Sequence, residues 1–293
     1  MKGLLSGKVI EEQKNGYIVD TGDSCYTSVL KGRIKQAHKR IYPGDNVEIE
    51  PISEESRESI IRSVGERRNT LEKPAVANLD QVLYVASFKR PVVSLSVTDR
   101  FLLNCKHRGI RCIIIFNKKD LLNDNERSRL KEISGVYEGL GYRVILSSAE
   151  TKEGFGCIKE ECTGGVNVFA GVSGVGKSCL MRHLFPGVEF KTSSLSRKLE
   201  RGRHTTSHTS LLKYDHGTYF ADTPGFSFVE LPEITAKELG SCFPEISEYS
   251  STCRFSDCTH TVEPGCSVRE ACDKGLITES RLKSYMMFYN EII

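Results

Sequence analysis

Two short runs in this chain carry the chemistry needed to hold a nucleotide. Gly171-Val172-Ser173-Gly174-Val175-Gly176-Lys177-Ser178 places glycines where a backbone must turn its N–H groups around phosphates, a lysine for the β and γ groups, and a hydroxyl for Mg²⁺. Asn117-Lys118-Lys119-Asp120 offers a carboxylate that can accept from both N1–H and the 2-amino group of guanine. Adenine presents neither donor, so Asp120 would lose its partners against ATP. An isolated Asn-Lys-Lys-Asp is usually a charged turn, but Ser147-Ser148-Ala149 after the next strand pattern supplies a second piece of a base-recognition pair. Asp222-Thr223-Pro224-Gly225 adds a carboxylate for Mg²⁺ and an N–H for the γ-phosphate; alone it reads as a turn, and its distance after the phosphate loop makes it a sensor.

A second constellation is soft. Cys253-x4-Cys258-x-His260-x5-Cys266 provides four ligands within one short stretch, enough for a closed tetrahedral structural Zn²⁺ site. Cys242 and Cys272 are more distant second choices, and Cys157-x4-Cys162, with no histidine, is incidental. Eleven cysteines at an odd count, in a chain read as intracellular, favour metal ligation over disulfides.

The elements that must position these groups fall into three stretches. Over residues 1–70, short apolar runs at Lys8–Ile10, Tyr17–Val19, Cys25–Leu30, Val47–Ile49 and Ser59–Ile61, separated by turn residues, predict a five-stranded barrel of the OB-fold kind; an SH3-like barrel has the same strand count. Its Lys31, Arg33, Lys35, His38, Lys39 and Arg40 form a basic loop suited to phosphates. Over 71–231, strands alternate with helices in α/β grammar. Strands are expected at Gln81–Ala86, Cys112–Phe116, Arg143–Leu146, Val166–Ala170, Ser210–Tyr214 and Thr218–Ala221, and helices near Val97–Lys106, Glu126–Glu138 and Lys177–Leu184. Asn117 and Gly171 each follow a strand pattern, where ligands bind open α/β sheets. Over 232–293, the cysteine cluster and a final helical pattern at Glu279–Asn290 predict a zinc-braced helical domain in which Met286-Met287-Phe288 packs against its neighbours.

Composition sets the outer bounds. With 293 residues, 39% hydrophobic and 27% charged, the chain is ordinary globular material, and a net charge of +3 is too small to prove a nucleic-acid partner by itself. No apolar run reaches the roughly 20 residues of a membrane span, and Met1 to Gly7 lacks the apolar stretch of a secretory signal, so a cytoplasmic protein without membrane contact is expected. A monomer is the separate expectation for its oligomeric state.

The order of motifs, guanine run first and phosphate loop second, inverts that of ordinary GTP-binding domains and points to a circular permutation. Together with Arg201-Gly202-Arg203-His204-Thr205-Thr206, Asp222 to Phe226, the barrel and the Cys3His tail, it resembles the RsgA family of ribosome-dependent GTPases over nearly the whole chain. The resemblance implies an OB-fold first domain, binding of the small ribosomal subunit and its rRNA, and GTP hydrolysis stimulated by that subunit during its late maturation. The expected GTP contacts are Asn117, Lys118, Asp120, Ser148, Ala149, Gly171, Ser173, Gly174, Val175, Gly176, Lys177, Ser178, Cys179, Thr206, Asp222 and Gly225. Ser178, Thr206 and Asp222 are expected at Mg²⁺, with Thr205 the alternative to Thr206. Lys177 would stabilise charge in transfer. Phe226 follows Gly225 where Ras-like enzymes carry a water-orienting glutamine, so slow intrinsic hydrolysis is expected, with His204 orienting water or contacting phosphate or RNA. Gly174 stands where a potassium-binding asparagine would be. The alternative to a hydrolase is an RNA-binding switch governed by GTP occupancy; a small-molecule kinase is disfavoured by the guanine run.

Overall fold

The computed structural model describes residues 3–30, 40–53, 55–72, 74–188, 209–222 and 230–293. In chain order the strands are β1 (Leu5–Gln13), β2 (Gly16–Asp20), β3 (Cys25–Leu30), β4 (Asn46–Ser53), β5 (Glu58–Val64), β6 (Thr70–Glu72), β7 (Ala75–Ala77), β8 (Gln81–Ser87), β9 (Arg111–Asn117), β10 (Arg143–Leu146), β11 (Gly165–Ala170), β12 (Ser210–Asp215) and β13 (Thr218–Asp222). The helices are α1 (Leu95–His107), α2 (Asp124–Gly139), α3 (Phe155–Glu161), α4 (Lys177–Leu184), α5 (Ala236–Ser241), α6 (Pro244–Ser250), α7 (Ser267–Asp273) and α8 (Glu279–Ile292). They gather into two compact units, Met1–Leu83 with Phe155–Ala170 and Gly176–Phe226, and Tyr84–Gly154 with Gly171–Val175 and Ser227–Ile293.

The first unit holds the barrel. β1 pairs antiparallel with β2 and β4, β2 with β3, β4 with β5, and β3 runs parallel to β5, which closes five strands into the OB-like order β1-β2-β3-β5-β4-β1. Alternation drives this closure: in β4 Val47 and Ile49 are buried while Asn46 and Glu48 face out. Val9, Val19, Tyr26, Ile41 and Ile61 complete the interior. Gly44, at φ 97°, fits where a Cβ would strike the Ala77 carbonyl oxygen, and its neighbour Asp45 accepts from Arg67 Nε and Nη2 at 2.7 and 2.8 Å. In the same unit β11 runs parallel to β13, β13 pairs antiparallel with β12, and β12 meets β1 at Glu11 and Ser210.

In the second unit β9 lies between β8 and β10 and runs parallel to β10. All of β8 and most of β9 are buried, so both read as unbroken apolar runs. Ser94 caps α1, and Asn123 with Glu126 forms a capping box on α2, which fixes where each helix starts. α5 to α8 bury Leu239, Phe243, Ile246, Val268, Tyr285 and Phe288 against one another and against Leu103 of α1. Phe288 is fully buried, whereas Met287 is 39% exposed, so the packing expected of that triplet applies to only part of it. Inside this contact, Arg281 of α8 donates through Nε to Glu245 and through Nη1 to Asp99, each at 2.6 Å, and Tyr137 Oη donates to Asp99 at 2.8 Å. Among the described residues no helix is long and apolar enough to cross a membrane.

Strand and helix expectations match these elements to within a few residues. The β6–β7 ribbon, α3 and the short helices α5 to α7 were not anticipated. Three to seven residues carry too little periodicity to read.

Candidate functional site

β9 ends in Asn117, which is 4% exposed and uses its whole amide. Nδ2 donates to the Val175 carbonyl at 2.9 Å, while Oδ1 accepts from Ser147 Oγ at 3.2 Å and Ala149 N–H at 3.3 Å. One side chain therefore ties both base-recognition runs to the phosphate loop. Lys118 takes a left-handed backbone, φ 65°, and its Nζ donates to the Gly174 carbonyl at 2.6 Å and to the Arg90 carbonyl. Asp120 sits in a 3-10 turn, Lys119–Leu121, and its Oδ1 accepts from Ser148 Oγ at 2.5 Å; Ser148 Oγ in turn accepts from Thr151 N–H. Ser148 thus orients the Asp120 carboxylate.

The phosphate loop shows why its glycines stand where they do. Gly171, at φ 133°, lies against the Val85 carbonyl oxygen, which any Cβ would strike. Gly174, at φ 86°, has Pro91 Cδ 3.3 Å from where its Cβ would lie, and Val175 is fully buried. Ser173 and Gly174 are exposed. The turn carrying Arg90 and Pro91 is a neighbour of the loop that the sequence reading missed, and no local motif marks it.

In the first unit Gly176, at φ 100°, precedes α4, so Lys177 and Ser178 occupy the first turn of that helix, the end that favours phosphate. Burial pushes the Lys177 ammonium below its ordinary value. Cys179 is exposed, its Sγ 3.6 Å from His183 Nδ1 on the next turn. Asp222 ends β13 and is buried. His204, Thr205, Thr206, Gly225, Phe226 and the basic stretch Lys31 to Lys39 lie outside the described residues.

The ligand atoms of Cys253, Cys258, His260 and Cys266 lie within 4.8 Å of one another. His260 Nδ1 is 3.6 Å from Cys253 Sγ and 3.5 Å from Cys266 Sγ. Zinc bonds of about 2.3 Å to sulfur and about 2.0 Å to nitrogen, set at tetrahedral angles, require an S···N edge of about 3.5 Å. The four residues therefore fit a tetrahedral Zn²⁺, with Nδ1 as the histidine donor. The loop is already braced: Arg254 N–H bonds the Gly265 carbonyl, and Tyr285 Oη of α8 bonds the Thr259 carbonyl at 3.2 Å. Burial drives the Glu263 carboxyl up, but bonds from the Thr259 side chain and nearby N–H groups outweigh it and hold it at about 2. Cys242 is packed in the helical core instead, and among the described residues Cys157 and Cys162 belong to no such cluster.

Comparison with known proteins follows the same lines. Residues 55–232 match the family model described as RsgA GTPase. A small ribosomal subunit biogenesis GTPase RsgA from Thermotoga petrophila is 39% identical over 264 residues, covering 90% of this chain and 88% of its own. The protein of that name from Moorella thermoacetica is 37% identical over 289 residues, covering 99% of this chain and 98% of its own. Among solved structures, YjeQ from Thermotoga maritima aligns with a TM-score of 0.86 at 35% identity over 99% of each chain. YloQ, described as a circularly permuted GTPase, aligns at 0.82 and 31% identity, over 99% of this chain and 95% of its own.

Proposed function

The chain belongs to the RsgA GTPase family, and from that membership we propose that it hydrolyses GTP in the assembly of the small ribosomal subunit, which it binds through rRNA. The observation that most supports the site assignment is the bond from Asn117 Nδ2 to the Val175 carbonyl. It fastens the guanine-selecting run to the phosphate loop although the permuted chain separates them by 58 residues. Asp120, oriented by Ser148, would accept from the two guanine donors, and Lys118 and Ala149 would flank the base. Gly171 to Gly176 would offer N–H groups to the phosphates, with Cys179 and Gly225 adding theirs.

In turnover, water attacks the γ-phosphorus and the bond to the β–γ bridging oxygen breaks, leaving GDP and phosphate. Lys177 and the loop N–H groups oppose the charge that builds on the phosphate oxygens. The hydroxyl of Ser178 and the carboxylate of Asp222, oxygen donors of the hard kind that Mg²⁺ takes, would hold that ion, which would supply further positive charge against the phosphates. On sequence alone Thr206 completes that set, and His204 orients the water. Zn²⁺ is proposed as structural in the tail, the barrel of residues 1–70 as the main RNA contact, 71–231 as the catalytic domain and 232–293 as the zinc domain. A cytoplasmic monomer is the accompanying expectation.

The test is phosphate release from GTP and from ATP, with and without vacant small subunits. Release confined to GTP and accelerated by subunits is expected. GTP binding with no release in either condition would leave only an occupancy-controlled RNA-binding switch.

A further inference from the structure

β12 and β13 form a hairpin that the sequence sets between the two runs expected to sense the γ-phosphate: Arg201 to Thr206 precede β12, and Asp222 ends β13. The barrel is fastened to this hairpin by a charge clasp built on a buried carboxylate and a partly exposed lysine. Asp20, at the end of β2, has a fully buried carboxylate. Its Oδ1 accepts from Gly22 N–H at 2.8 Å, and Lys213 Nζ of β12 lies 3.1 Å from Oδ1 and 2.9 Å from Oδ2. Tyr219 Oη of β13 donates to Oδ2 at 2.9 Å, and Lys213 also donates to the Gly22 carbonyl at 2.7 Å. Burial alone would raise this carboxyl, yet its partners outweigh that and hold it below the ordinary value.

The barrel does not need the clasp to close, since β1 and β4 already complete the ring. Backbone pairing between barrel and hairpin is thin among the described residues, with a single ladder pair, Glu11 with Ser210. Beside the clasp lies a cavity of about 520 Å³, lined in part by Gly7, Asp20, Gly217 and Tyr219, so side-chain packing is thin there too. Among the described residues, Asp20, Lys213 and Tyr219 therefore reinforce a thin attachment with side-chain hydrogen bonds. Tyr219 stands three residues before Asp222 on one strand, and that strand is laddered to both β12 and β11. A shift of the barrel would pull on Tyr219 and Lys213, which stand on the two strands that lead to the carboxylate at the end of β13.

We propose that Asp20, Lys213 and Tyr219 are positioning residues for subunit-stimulated hydrolysis: RNA seated on the barrel biases, through this clasp, the placement of β13 and its Asp222, and nucleotide occupancy biases the barrel's grip on RNA in return. Between the binding of RNA and the binding of nucleotide the coupling is reciprocal, because a free energy linking two binding equilibria acts equally on both, whereas the effect on turnover need not equal it. The inference rests on the hydrolase reading above. None of the three is among the residues assigned to the nucleotide above, so they act on the stimulation and not on basal chemistry.

Tyr219→Phe, Lys213→Met and Asp20→Asn, made in the full chain, test it. Measured would be basal turnover, turnover with vacant small subunits, and subunit affinity with GDP and with a non-hydrolysable GTP analogue. Expected is a fall of about tenfold or more in the stimulation factor while basal turnover stays within about twofold, and convergence of the two subunit affinities, whose difference in linked sites is typically about 5- to 150-fold. Unchanged stimulation in Tyr219→Phe and Lys213→Met overturns the proposal, and those two carry the test should Asp20→Asn fail to fold. An equal loss of subunit affinity with both nucleotides also overturns it, since the clasp would then only brace the barrel. Wild-type protein that subunits do not stimulate would instead sink the hydrolase reading itself, and the inference with it.

Discussion

Asp120→Asn should reverse the base preference of the site, and Ser148 determines how. Ser148 Oγ donates to Asp120 Oδ1 at 2.5 Å, so the introduced amide keeps its oxygen on Ser148 and turns its NH2 toward the base. That NH2 meets the N1–H and 2-amino donors of guanine, donor against donor. Two hydrogen bonds to a charged acceptor are lost, each worth about 1.5–3 kcal/mol. The sum, about 3–6 kcal/mol, is a weakening of about 10²- to 10⁴-fold for GTP at 1.4 kcal/mol per tenfold. Xanthine carries a carbonyl where guanine has the 2-amino group, so the same amide gains an acceptor and XTP should now bind better than GTP. Competition of GTP, XTP and ATP against a fluorescent GDP analogue measures all three. GTP affinity within about threefold of wild type would refute the placement of Asp120 at the base. Loss of GTP with no gain for XTP would refute the orienting role given to Ser148.

Gly171→Ala places a Cβ against the Val85 carbonyl at a φ of 133° that alanine resists, so nucleotide binding should fall below detection in titration while the far-ultraviolet circular dichroism of the chain is retained. Arg281→Met leaves Asp99 and Glu245 buried without their cation and should cost about 3–5 kcal/mol in denaturant unfolding; a loss under 1 kcal/mol would show the cluster to be relaxed by water. Elemental analysis should find one zinc per chain. A strong chelator should lower the melting temperature and expose Phe243 and Tyr285 of the tail core, and Cys266→Ser should reproduce both effects without chelator.

Much of the fold and site was legible because its signals are local. The phosphate loop, the Asn117 to Asp120 run and the Cys3His spacing each place their chemistry within a few consecutive residues. The bounds of α4 and β10 follow from glycine, polar and apolar periodicity on the same scale. The five barrel strands were equally plain, since alternation in β4 and turn residues such as Gly44 are read one segment at a time. Their closure was not, because the β3–β5 and β1–β4 pairings that separate this barrel from another five-stranded one depend on register between distant segments.

The sequence alone determined which groups could do chemistry and in what permuted order they occur. Tertiary structure decided what those groups lean on: Ser148 turning Asp120 across 28 residues, Val175 receiving Asn117 across 58, Arg281 reaching Asp99 across 182, and Tyr219 holding Asp20 across 199. A hydrogen bond requires only that two groups meet in space, and partners so far apart leave no spacing in the chain from which the meeting can be read.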